Sequence, residues 1–156
     1  MGGELKITST FAHEGRIPAE YTADGVDISP PLEIKNAVDK TESIAIIVDD
    51  PDAPGGTFTH WLIWDIPGDA RKIPEGVPGK RTVAYLDGAC QGKNDFGSLG
   101  YKGPAPPGGT HTYRFKVYTL DKKLDLMPGT EKETLWQEMN GSILQKGLLV
   151  GKYSRE

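Results

Sequence analysis

The chain has 156 residues, 37% hydrophobic and 26% charged, enough to bury one core and too few for two, so a single domain spanning 1–156 with one site is expected. Its 18 basic and 22 acidic residues give a formal net charge of −4 with no basic run along the chain, which argues against a nucleic-acid partner, because phosphate-backbone affinity comes from clustered Lys and Arg. No apolar run is long enough to cross a bilayer, the first six residues have no signal-type stretch, and Lys6 stands where a myristoylation pattern needs Ser or Thr; a cytoplasmic location is expected.

The 20 glycines and 12 prolines punctuate short apolar segments, the habit of a mainly β chain with long loops. A first long loop covers 15–31. Residues 43–49 carry the β-branched run Ile44, Ala45, Ile46, Ile47, Val48 and predict a central strand buried on both faces. After a Pro/Gly loop, strands are predicted at 58–66, 82–86, 112–120 and 148–153, with long loops at 67–80 and 88–109. Two packed antiparallel sheets bury that many strands most simply, so an all-β sandwich is expected. Thr130-Glu131-Lys132-Glu133 has the pattern of a capping box, and Leu135, Met139 and Ile143 follow at spacings of four. One or two short peripheral helices near the C-terminus are predicted there, with Gly141 bending or dividing them. Cys90 is the single cysteine, so no internal disulfide can form, and with no histidine near it in sequence it reads as an unreactive thiol.

Candidate chemistry gathers around two of the three histidines. His60 shares parity with Leu62, Trp64 and Ile66, and His111 with Tyr113, Phe115 and Val117, so both imidazoles are expected at one rim of the apolar interior. His13 lies in a loop without such support and reads as a surface residue. The stretch Asp49-Asp50-Pro51-Asp52-Ala53-Pro54-Gly55-Gly56 supplies carboxylates on a stiff loop; one bonded to a histidine N–H would fix its tautomer and raise its pKa. A second stiff loop, Gly103-Pro104-Ala105-Pro106-Pro107-Gly108-Gly109-Thr110, could offer glycine N–H groups to an anion. Imidazolium, N–H and tyrosine hydroxyl together suit a phosphate or carboxylate head group. The same segments are also ordinary turn chemistry, and two His with two Asp could ligate a metal, although the spacing matches no metal motif.

These residues resemble the phosphatidylethanolamine-binding protein family, which includes the Raf kinase inhibitor proteins, and more closely its bacterial and archaeal branch. The resemblance runs from Arg16-Ile17-Pro18-Ala19-Glu20-Tyr21-Thr22 through Ile28-Ser29-Pro30-Pro31-Leu32, Asp49 to Gly56, His60-Trp61, Asn94-Asp95-Phe96-Gly97, Gly103-Pro104-Ala105-Pro106-Pro107, Thr110-His111 and Val117-Tyr118-Thr119-Leu120-Asp121 to Gly151-Lys152-Tyr153. It implies a β-sandwich with a shallow pocket for phosphoryl head groups, no cofactor, no metal and no established catalysis. Carried onto this chain, the pocket residues are Asp50, Asp52, Ala53, Pro54, His60, Pro106, His111 and Tyr113, with Phe58 and Tyr101 as walls. Family members inhibit serine proteases or regulate kinase signalling, so the resemblance permits a protease or a kinase as protein partner without selecting one, and its microbial members suggest a homodimer. Two positions depart from the family pattern: Thr112 follows His111 where Arg is usual, with Arg114 two residues on and on the same side of the strand, and Ala105 replaces a Cys. Three functions stay open: a binding module, a loop-mediated protease inhibitor, and a hydrolase using a His/Asp pair as base. No Ser or Cys lies in a nucleophile-turn pattern, which weakens the last.

Overall fold

A computed structural model describes residues 4–155. Ten strands follow in chain order: β1 (Lys6–Thr8), β2 (Gly15–Arg16), β3 (Leu32–Lys35), β4 (Ser43–Asp50), β5 (Phe58–Pro67), β6 (Lys72–Ile73), β7 (Thr82–Val83), β8 (Ala89–Gln91), β9 (Gly109–Leu120) and β10 (Ile143–Arg155). One helix, α1 (Lys132–Met139), lies between β9 and β10. A large sheet has the order β2-β10-β9-β4-β5-β8-β7, and a small sheet the order β1-β3-β6. The fold is the expected two-sheet, mainly β arrangement; the short β2–β10 pairing is parallel and every other ladder is antiparallel.

Strand β4 is buried along its whole length between β5 and β9, as its β-branched run requires. Its alternate residues feed two cores. Ile44, Ile46 and Val48 join Trp61, Ile63, Phe115 and Val117 against the small sheet's Ile7, Leu32, Ile34 and Ile73. Ala45 and Ile47 join Leu62, Trp64, Leu120 and the helix residues Leu135 and Met139 on the opposite face.

The helix region departs from the predicted one. Thr130 turns its hydroxyl back to the Met127 carbonyl at 2.6 Å, so no capping box forms, and α1 starts from Glu131 without a side-chain cap. Gly141, at φ +90°, ends the helical path outright, and Ile143 opens β10 instead of extending the helical stripe. Strand β10 is therefore far longer than the predicted 148–153. The predicted strand at 82–86 is only β7 followed by a 3-10 turn over Ala84–Leu86.

Gly151 sits where β10 meets both β2 and β9, and a Cβ there would lie 2.4 Å from Ile17 Cγ1 and 2.8 Å from Phe11, both buried. Gly151→Ala is expected to destabilise the fold by about 1–3 kcal/mol through overpacking, read as a lower urea midpoint at unchanged slope; an unchanged midpoint would contradict this packing.

Candidate functional site

Asp49 and Asp50 end β4 side by side but point to opposite faces. Asp49, fully buried, receives Arg114 Nε at 2.7 Å on Oδ1 and Lys116 Nζ at 2.6 Å on Oδ2, on the sheet face away from the two histidines. Arg114 thus forms an ion pair through the strand position that shares its side with Thr112. Asp50 faces the other way. Its Oδ2 accepts His111 Nδ1–H at 2.6 Å and its Oδ1 accepts the Asp52 backbone N–H at 2.7 Å. The loop closes at Gly56 N–H to Ala53 O, 3.1 Å, and Asp52 Oδ2 accepts the Thr112 N–H at 2.8 Å, strapping the loop to the start of β9.

His60 reaches the same place by a different device. Ladder pairing runs Val48 to Trp61 but Asp49 to Thr59, so β5 carries one extra residue at His60. This bulge breaks the simple alternation. Leu62 and Trp64 face the helix-side core, whereas the His60 ring packs edge-on to Tyr113 at 5.3 Å between centroids, with Tyr113 in the other core. Shared parity with Leu62 and Trp64 therefore does not describe His60. Its Nδ1–H donates to Lys102 O at 2.6 Å, and Lys102 N–H returns a bond to His60 O at 3.1 Å. A backbone carbonyl, not a carboxylate, fixes this tautomer.

The two imidazoles flank Tyr113, whose ring lies 5.3 Å from His60 and 6.4 Å from His111. All three line a cavity of about 180 Å³ with Asp50, Ala53, Pro54, Phe58, Phe96, Ala105, Pro106 and Pro107. Seven of the eight pocket residues expected from sequence line this cavity, as does the expected wall Phe58. Asp52 does not; it acts as the strap. Tyr101 does not either: its hydroxyl donates to Tyr21 O at 2.6 Å, its ring meets Trp61 edge-on, and it borders a separate hollow with Asp27 and Lys102. The glycines at 108 and 109 also stay out, and the second loop presents Pro106 and Pro107, which have no N–H to offer. Gly103 N–H to Asp27 Oδ1 (2.7 Å) and Ala23 N–H to Pro104 O (3.0 Å) hold that loop from behind.

Phe96 is the wall that sequence reasoning passed over. Asn94 Oδ1 accepts the N–H groups of Phe96 and Ser98, and its Nδ2 donates to Gly100 O at 2.8 Å, building a tight turn with Phe96 at its tip. Asp95 adds a clamp on β5, accepting the Thr59 N–H at 2.7 Å. Phe96 then rests edge-on against both Phe58 and His60. The signal was Asn94-Asp95-Phe96-Gly97 itself, an Asx turn presenting an aromatic.

Burial pushes the His60 imidazole below its ordinary value near 6.5, against the weaker opposing pulls of the Lys102 carbonyl and the charge of Asp50. The expectation of a raised histidine pKa fails here, because enclosure by Phe58, Phe96 and Tyr113 outweighs distant carboxylates. Burial, with Asp50 next, also raises the Tyr113 phenol, keeping it a neutral hydroxyl. The cavity lining holds no Lys or Arg, and among the described residues no group of three or more His, Cys, Asp or Glu is placed to hold a metal ion. Cys90 lies elsewhere, half-buried on β8, its thiol pushed up by burial and by Asp65 and Asp125.

The model of the phosphatidylethanolamine-binding protein family matches residues 7–154. The chain belongs to that family. A UPF0098 protein of Pyrococcus horikoshii is 50% identical over 99% of this chain and 81% of its own length, and one of Methanothermobacter thermautotrophicus is 47% identical over 95% and 97%. Among solved structures, a putative phosphatidylethanolamine-binding protein homologue from Chlamydia trachomatis superimposes with a TM-score of 0.89 at 33% identity, covering 98% of this chain and 99% of that one. YbcL of Escherichia coli, described as a new member of the mammalian family, matches with a TM-score of 0.87 at 28% identity over 99% of this chain and all of that one.

Because His60 is held neutral, the unfolded chain binds more protons once the pH drops below about 6.5. The stability His60 contributes is complete above that value and is lost as pH falls toward its depressed folded-state pKa. Urea unfolding of the wild type should therefore weaken more steeply below pH 6.5 than that of His60→Gln, and equal slopes would contradict a neutral buried ring.

Proposed function

We propose that this phosphatidylethanolamine-binding protein family member binds a phosphoryl or similar oxyanion head group between His60 and His111, without catalysing its conversion, and that occupancy modulates a protein partner. One observation carries the reading. Both imidazoles are fixed through Nδ1, by Asp50 and by the Lys102 carbonyl, and among the described residues neither Nε2 has a protein partner. At about 180 Å³ the cavity is smaller than the roughly 300 Å³ where drug-sized sites begin, and suits a head group more than a whole lipid or nucleotide.

The chemistry sets a proton requirement. A neutral His60 with hydrogen on Nδ1 offers only a lone pair at Nε2, while a fully ionised phosphoryl group offers only acceptors. One proton must come with the ligand, either on the phosphoryl oxygen or taken up by the ring. Inside walls of Phe58, Phe96, Pro54, Pro106 and Pro107, the resulting charge-assisted bond is poorly screened and correspondingly strong. Asp50 holds the His111 Nδ1–H at 2.6 Å, which leaves Nε2 of this second ring for the ligand.

Titration calorimetry with phosphoethanolamine should give about tenfold or greater weakening between about pH 6 and about pH 8.5, with proton uptake visible across buffers of different ionisation enthalpy. Loss of one charge-assisted bond is worth about 1.5–3 kcal/mol, so His60→Ala and His111→Ala should each bind about ten- to hundredfold more weakly. Equal affinity at both pH values would contradict the reading. Phosphatase or esterase turnover that disappears in His60→Ala would replace it with a hydrolase, and protease inhibition that persists in the double variant would assign that activity to an exposed loop.

A further inference from the structure

Along the outer side of β10, away from β9, the backbone groups of alternate residues point outward, because antiparallel pairing uses every second residue of a strand for each neighbour. Val150 fixes the phase. Its C=O accepts the Glu14 N–H at 2.7 Å and its N–H donates to His13 Nδ1 at 3.1 Å, both from outside the β9 ladder. The ladder runs without a register shift from Gln145 to Arg155, so Leu148 and Lys146 present their N–H and C=O groups in the same outward direction. Strand β2 covers only Gly151 and Lys152. At the other end, Gln145 turns its side chain to Val38 N–H and Asn36 O, closing the edge there. Between these two plugs, among the described residues, one window of open strand edge remains, and Leu148 in it is 50% exposed.

The window opens on a hollow of about 730 Å³, bordered by Leu5, Ile7, Gly147, Leu148 and Tyr118 as its apolar part. Its charged border is Lys6, Arg114, Lys116 and Lys146 against Glu4, with His13 at the end. Asp49 offsets one charge of the Arg114–Lys116 pair from beneath. The border keeps a positive balance although the whole chain is at −4. These lysines and the arginine come from β1, β9 and β10, so the cluster exists only in the fold.

We infer that the free edge of β10 at Lys146–Leu148 is a docking site for an extended, acidic peptide segment of a partner protein, which adds as a strand beside β10 with its carboxylates against Lys6, Lys116 and Lys146. Alternating donors and acceptors at strand spacing match a polypeptide backbone and are wasted on a fully ionised phosphate chain, which supplies acceptors alone. A second copy is disfavoured by charge, because two-fold pairing of this edge would set Lys146 and its basic neighbours against themselves. Lysine on an edge strand also discourages indiscriminate pairing, and an acidic strand is the one that it admits.

The test uses fluorescence anisotropy of the full chain with the labelled peptide acetyl-Glu-Val-Glu-Val-Glu-Val-amide, alongside the same peptide N-methylated at alternate amides and a version with Lys for Glu. Saturable binding is expected for the first, weakened at least about tenfold by N-methylation, by the Lys version, by Lys146→Glu and by Leu148→Pro. The proline removes one outward N–H without breaking a bond to β9, and unchanged thermal unfolding certifies each variant. Amide shifts at Lys146 and Leu148 should accompany binding. No saturation, equal binding of the N-methylated peptide, or binding indifferent to Lys146→Glu would overturn the proposal. So would an oligonucleotide, an anionic vesicle or self-association that occupies this edge in the peptide's place.

Discussion

The hydrogen bond from His111 to Asp50 ties three parts of the chain at one point, and the site is built around it. Asp50 ends the central strand, and its side chain reaches the next long strand at His111 and its own loop at the Asp52 N–H. Asp52 then completes the circuit by accepting the Thr112 N–H. A removal at Asp50 would therefore leave a buried histidine without its acceptor and a loop without its anchor, and a buried polar group stripped of its partner costs about 1–3 kcal/mol. The neighbouring Asp49 performs the parallel task on the opposite face with Arg114 and Lys116, so the acidic end of β4 locks both surfaces of the sheet.

What was legible in the residues follows from which physical rule governed each of them. The run from Ile44 to Val48 has no polar face, and only a central strand can bury it, so β4 was readable. His111, on a regular strand, obeyed alternation and stands with Tyr113, Phe115 and Val117 on one face. His60 did not, because the extra residue in β5 reverses its side relative to Leu62 and Trp64, and a bulge leaves no composition signature in a run as apolar as Trp61 to Ile66. The helix start departs for a related reason: the Thr130 hydroxyl donates to the Met127 carbonyl and no helix N–H is capped by a side chain, so a valid capping pattern was spent on a turn. Strands of two or three residues such as β2, β6 and β7 carry too few side chains for any periodicity. Most of the pocket set was found through the family resemblance more than through parity, and Tyr101 and Asp52 mark where residue type could not tell a wall from a support.

The electrostatics of the pocket differ from those of a basic anion site. No Lys or Arg lines it, His60 is held neutral by burial, and Tyr113 keeps its proton. For the head group proposed above, hydrogen count would govern recognition in such a place as much as charge, since that ligand would have to bring, or draw in, the proton that the site lacks. The basic surface lies elsewhere, along the open edge of β10, where backbone groups and lysines stand together. A small pocket with mostly apolar walls and a basic strand edge, separated on the same sheet, give the molecule two chemically distinct faces.

A crystal structure of the chain grown with phosphoethanolamine tests the central claim most directly. The account predicts the phosphoryl group between the rings of His60 and His111, with Nε2 of each within about 3 Å of a phosphoryl oxygen and the ethanolamine directed past Phe96. Density for the ligand at another place, with the cavity beside Tyr113 unfilled, would contradict it.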